Sequence, residues 1–191
     1  LQFRADSRIN GIIKDLAAGN GQDVRLVDAE DAFNRSELSP HGLPGEELFL
    51  DHVHLNFQGN YLLAKTVFKK VEQALPESIR QGAGGLAPTI EQMADELART
   101  GLDKWRIATI VARLTERPPF TGQIDHAERL AAARSREKAL EGHIRLEAID
   151  DALATCREGM QRRPSDLLLK IRYQEFSDFR RRRLETLRRH K

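Results

Sequence analysis

Cysteine is nearly absent from this chain: Cys156 is the single one among 191 residues. That excludes an internal disulfide framework and a cysteine-built zinc site, and it leaves the redox compartment open. Aromatic residues are scarce, at 6%. No run approaches the roughly 18 uncharged apolar residues that a bilayer-spanning helix needs. A dominant charge sign is lacking too, since 31 Lys+Arg stand against 29 Asp+Glu, a formal net charge of +2. What remains is a charged, helix-favouring composition, long enough for one large domain or two small ones. The chain opens at Leu1 without a Met or a signal-peptide pattern. It is therefore expected to be a piece of a longer protein, and its compartment is unassigned.

The charge is unevenly spread. Residues 157–191 hold 12 Lys+Arg and 5 Asp+Glu, a local net of +7. Residues 1–156 hold 19 positive and 24 negative charges, a net of −5. An arginine-rich end can meet nucleic acid or acidic lipid. Here Asp178 and Glu185 flank the run Arg180–Arg183, Leu184 and Leu187 follow it, and no aromatic or glycine-rich recognition element accompanies it. The expectation is a solvated basic helix face, with nucleic acid disfavoured as a partner.

Three stretches separate by composition. In residues 1–80, Asp6 or Ser7 can cap a helix carrying Ile9, Ile12, Ile13 and Leu16 on one face. Gly19-Asn20-Gly21 stops it, because these residues accept the left-handed backbone of a helix end. Val24 to Val27 then reads as a short strand ending at Asp28. One strand makes no sheet, so its neighbours are expected outside this chain. A proline- and glycine-containing loop over 36–45 leads to Asp51 and His54, and a helix follows from about Gly59 to Leu75.

Residues 81–88, with three glycines and a proline, are the linker candidate. From 89 to 191 the pattern is helix after helix. Thr89 and Gln92 suit a capping box, with Gly101 closing that helix. A well-packed helix carrying Trp105, Ile107, Ile110, Val111 and Leu114 ends at Pro118-Pro119. Longer helices are expected over roughly 123–140 and 143–162, and Pro164-Ser165 opens the last one. Helical arrays of this kind usually present surfaces to partners.

The chemistry concentrates in Asp51-His52-Val53-His54. A carboxylate three residues before a histidine can accept the imidazole Nδ1 proton. That fixes the tautomer and leaves Nε2 to take a proton from a hydroxyl. His54 is thus the candidate base and Asp51 its orienter. Two other readings stand beside this one. Asp51 can simply cap the downstream helix with His54 packed beside it, or Asp51, His52 and His54 can bind a metal. His41 and His126 stand too far along the chain from the others to serve as ligands.

The run from Asp51 through His54-Leu55-Asn56-Phe57-Gln58-Gly59-Asn60-Tyr61 resembles the last block of the SGNH, or GDSL-like, hydrolases. Asn10 and the strand ending at Asp28 fit the unit that precedes that block. The resemblance covers about 80 residues and implies the end of a flavodoxin-like three-layer α/β domain. It also implies His54 and Asp51 as catalytic residues and an ester substrate, an acylated carbohydrate or lipid. No metal or organic cofactor is implied. The family's nucleophile stands in a Gly-Asp-Ser block, and none of Ser7, Ser36, Ser39, Ser78, Ser135, Ser165 or Ser177 does so. Gly19-Asn20 and Gly59-Asn60 read as helix punctuation rather than oxyanion donors.

Ala152, Cys156, Gly159 and Pro164 resemble the second helix of a tetratricopeptide repeat, although no first-helix signature lies between Arg136 and His143. The expected fold is therefore mainly α. It has a truncated α/β portion over 1–80, a linker over 81–88 and a helical, tetratricopeptide-like region over 89–191. That region is expected to bind proteins; the rival reading makes the whole chain a non-catalytic helical scaffold.

Overall fold

A computed structural model describes residues 7–21, 24–82 and 87–189. Among these the protein is mainly α-helical, and no strand is formed. The chain divides into two compact units, residues 1–90 and 91–191.

In the first unit, α1 (Ser7–Gly19) carries the expected apolar stripe and stops where Gly19-Asn20-Gly21 predicts. Asp6 lies outside the described residues. Residues 24–28 are irregular and form no strand pairing with any of the described residues, so the strand over Val24–Val27 is corrected. A β-prone segment becomes a strand only when a second strand takes its backbone hydrogen bonds, and none of the described residues does so. The α/β portion expected over 1–80 is accordingly helical. Among the described residues the single sheet-like contact is an isolated antiparallel bridge, Phe49 to Leu55.

The short helix α2 (Ala29–Asn34) begins where the strand was to end. Asp28 caps it, its carboxylate accepting the Asp31 N–H at 3.0 Å. Lys14 of α1 bridges Asp28 and Glu30. The loop that follows contains a 3₁₀ turn, Pro40–Gly42. α3 (Phe57–Ala74) packs against α2, and α4 (Glu77–Gly82) succeeds it. α4 therefore takes the first two residues of the expected linker, and residues 83–86 lie outside the described ones. The buried apolar side chains here are few: Ala17, Phe33 and Leu48. Ile9, Ile12, Ile13 and Leu16 of α1, with Val67, Phe68 and Val71 of α3, stay exposed.

The second unit holds a larger core. After α5 (Ile90–Glu96) the chain turns at Ala98, whose φ is +48°, so Ala98 rather than Gly101 supplies the left-handed residue. Arg162, Arg163 and Arg172 donate to the carbonyls of Asp95, Glu96 and Leu97, placing cations on a helix C-terminus. Gly101 instead opens α6 (Gly101–Thr115), behind a capping box formed by Thr100 and Asp103. α6 buries Leu102, Ala108, Thr109, Ala112 and Thr115, whereas Ile107, Ile110 and Leu114 are exposed.

Beyond Pro118-Pro119, α6 packs on α7 (His126–Ala139), and α8 (Leu146–Arg162) packs on α9 (Leu167–Arg189). Pro164 and Ser165 sit in the turn, and it is Asp166 that accepts the Leu169 N–H at the start of α9. Leu102, Ile149, Ala152, Leu153, Cys156 and Phe176 form the core, with the tilted ring pair of Trp105 and Phe179 packed beside it at 5.5 Å between centroids. Small residues permit this close helix approach. A Cβ on Gly159 would lie 3.0 Å from the Ala98 Cβ and 3.2 Å from Leu169. Arg180 forms a forked ion pair with Asp150, and Arg181 pairs with Asp178.

Candidate active site

The loop between α2 and α3 is folded back on itself before it delivers its polar residues. Phe49 and Leu55 bridge antiparallel, Leu50 N–H donates to the His54 carbonyl at 2.7 Å, and Asn56 N–H donates to the Leu48 carbonyl at 3.0 Å. Leu48 is fully buried beneath this turn, and the Phe33 and Phe49 rings lie 5.8 Å apart. Residues 51–54 form the tip.

Asp51 organises that tip. Its Oδ1 accepts the backbone N–H groups of Val53 and His54, both at 2.8 Å. This is the local turn that short carboxylate side chains favour. Its Oδ2 is left for the imidazole, and His54 Nδ1 lies 2.7 Å away. The Asp51 side chain is 9% exposed and that of His54 67% exposed. The orienting group is thus shielded, while the ring projects outward. Nε2, on the opposite edge of the ring, carries no hydrogen bond among the described residues.

Partial burial by itself would raise the Asp51 pKa. Three hydrogen bonds, from the backbone of His54 and Val53 and from the His54 ring, outweigh it and hold the carboxyl below its ordinary value. A carboxylate that stays ionised is what an imidazole must have beside it when it takes up a proton.

The structure also shows how α3 supports this tip. Asn56 is the N-cap, its Oδ1 accepting the Gly59 N–H at 3.0 Å. Its Nδ2 donates to the carbonyls of Glu46 and Glu47 at 3.0 and 2.9 Å. Helix α3 thus starts at Phe57, and Gly59 lies inside the first turn. A Cβ at Gly59 would stand 2.2 Å from the Leu48 carbonyl oxygen, so only glycine fits. Asn60 donates to the carbonyls of Leu55 and Asn56. The sequence alone reads Gly59-Asn60 as helix punctuation. The Asn-x-x-Gly spacing is a legible capping signal, but the contact with residues 46–48 is tertiary and has no local signature.

The other candidates do not join the pair. His41 sits in the 3₁₀ turn with a left-handed φ of +57°, and His126 opens α7 in the other unit. Among the described residues no group of three or more His, Cys, Asp or Glu side chains could hold a metal ion. Ser39 is buried and donates to the Phe33 carbonyl, and Ser36 accepts the Leu38 N–H. No serine hydroxyl is hydrogen-bonded to His54 among the described residues. An open cleft of about 240 Å³ lined by Arg106, Glu175, Phe176 and Arg182 belongs to the helical unit. Its Arg106 is already paired with Glu175 at 2.7 Å.

No protein-family model matches the chain, and neither does any curated protein or solved structure.

Proposed function

We propose that residues 1–80 form the end of an SGNH-type ester hydrolase domain in which His54 is the general base and Asp51 its orienter. The observation that carries this reading is the 2.7 Å contact between Asp51 Oδ2 and His54 Nδ1, made by a shielded carboxylate to an exposed ring. In this reading Nε2 removes the proton from a serine hydroxyl as its oxygen attacks the ester carbonyl. The imidazolium, stabilised by Asp51, then returns that proton to the departing alcohol, leaving an acyl-serine. Water activated by the same nitrogen hydrolyses the acyl-serine. The substrate class is an acylated carbohydrate or lipid, and no cofactor takes part.

The serine, the oxyanion donors and the strands of a flavodoxin-like sheet are not recognisable in this sequence. The reading requires them from residues preceding Leu1 in the encoded protein. The exposed stripes of α1 and α3 support it, since helices of an α/β layer carry such a face for a sheet. Residues 91–191 would serve as a tetratricopeptide-like protein-binding region. The close packing of Ala152, Cys156 and Gly159 against α9 supports this part of the reading.

Hydrolysis of p-nitrophenyl acyl esters by the encoded protein tests the base directly. His54→Ala is expected to abolish turnover, whereas equal rates would remove His54 from the mechanism. A non-catalytic helical scaffold would then be the better description.

A further inference from the structure

Asn56 stands at the neck of the loop that carries the Asp51–His54 pair, and its amide is used in full. The oxygen takes the Gly59 N–H of α3, and the nitrogen reaches two successive carbonyls, of Glu46 and Glu47, on the opposite strand of the loop. Its own backbone N–H closes on the Leu48 carbonyl. A cap alone would need only the oxygen. The two donor bonds do something else: they tie the incoming arm of the loop to the start of α3, with Gly59 allowing the Leu48 carbonyl to press against the helix.

Between these ties and the Asp51–His54 tip the two arms of the loop are joined by the Phe49–Leu55 bridge and the Leu50-to-His54 backbone bond, flanked by the Phe33–Phe49 ring contact and the Asn60 bond to the Leu55 carbonyl. Such a two-rung ribbon is marginal by itself, so its register depends on what holds its base. We propose that Asn56 is a positioning residue for the Asp51–His54 pair, clamping the 46–56 loop to α3 so that the carboxylate and the imidazole stay in register. This role deepens the hydrolase reading and rests on it, but the clamp itself can be measured without turnover.

The test separates cap from clamp. Asn56→Asp and Asn56→Ser keep an oxygen for the Gly59 N–H but lose the amide nitrogen that donates to the Glu46 and Glu47 carbonyls. ¹⁵N-correlated NMR of the 191-residue chain reports the His54 tautomer, and circular dichroism reports the helices. The wild type is expected to show a single Nδ1–H tautomer, as Asp51 demands. Either variant that keeps wild-type helix content should lose that preference and show a tautomer mixture, while Asn60→Ala should retain it. In the encoded protein the same variants should lower kcat, by up to about 100-fold, and leave KM little changed.

A variant that folds and keeps the wild-type His54 spectrum would overturn the clamp. So would a wild-type chain without the Nδ1–H preference. Should both variants fail to fold, rapid solvent exchange of the Leu50 and Asn56 amides in the wild type would overturn it, and strong protection would support it. An ordered His54 in a protein without esterase activity would sink the hydrolase reading and leave the clamp standing.

Discussion

Asp51 holds three N–H donors at once, two from the backbone and one from an imidazole, and each favours its ionised form. Asp51→Asn is nearly isosteric and can keep the backbone contacts, so the fold should survive. The charge beside His54 would be gone and the tautomer no longer dictated. Where such an orienter is replaced in a serine hydrolase triad, kcat falls by about 10⁴-fold. A loss of that order, in the encoded protein and with unchanged far-ultraviolet circular dichroism, is the expected result.

Gly59 gives a second prediction at this scale. Alanine is favoured over glycine in a helix by about 1 kcal/mol, yet its methyl carbon would meet the Leu48 carbonyl oxygen at 2.2 Å. Steric overlap wins, because forcing an atom into a filled space costs roughly 1–3 kcal/mol or more. Gly59→Ala should lower the melting temperature and blur the His54 tautomer. A more stable variant would show that the helix start can shift without cost.

Among the elements, those with a repeated apolar stripe were readable and those that depend on distant partners were not. α1, α3, α6, α7, α8 and α9 all follow from helical spacing, with ends displaced by a few residues. Val24–Val27 shares its composition with real strands, and only the missing partner decides against it. α2 went unread because six residues give too short a period, although Asp28 with Glu30 and Asp31 marks its start. Gly101 looked like a helix stop. Thr100, one residue before it, is the stronger signal, since its hydroxyl and the Asp103 carboxylate close a reciprocal cap. Of the candidate site, the Asp51–His54 pair was legible because its contact is local. Asn56's bonds to residues 46 and 47 were not, because they depend on how the loop folds back. Thr100→Ala should destabilise the helical unit by about 1 kcal/mol, read from chemical denaturation.

For the molecule as a whole, several carboxylates are held below their ordinary values. The Asp31 N–H holds Asp28, Arg134 holds Glu137, and Arg180 holds Asp150. Asp51 is raised by burial but lowered further by its donors. Groups depressed in the folded state bind fewer protons there than in the unfolded chain. Their contribution is therefore complete above the ordinary values of 3.8 for Asp and 4.5 for Glu, and it is lost as pH falls through the lower folded values. At the other extreme, burial pushes the Cys156 thiol above its ordinary 9.0, so stability should also decline as pH rises past that value. Melting temperatures across pH should form a plateau between these limits. A melting temperature that climbs on acidification below 3.8 would contradict the account.

The central claim is that the His54 imidazole, aligned by Asp51, activates a serine. Treating the encoded protein with a fluorophosphonate and locating the adduct by peptide mass spectrometry tests this most directly. The expected result is a single modified serine N-terminal to Leu1 in a Gly-Asp-Ser setting, with labelling lost in His54→Ala. Labelling that is absent from the wild type, or undiminished in the variant, would contradict it.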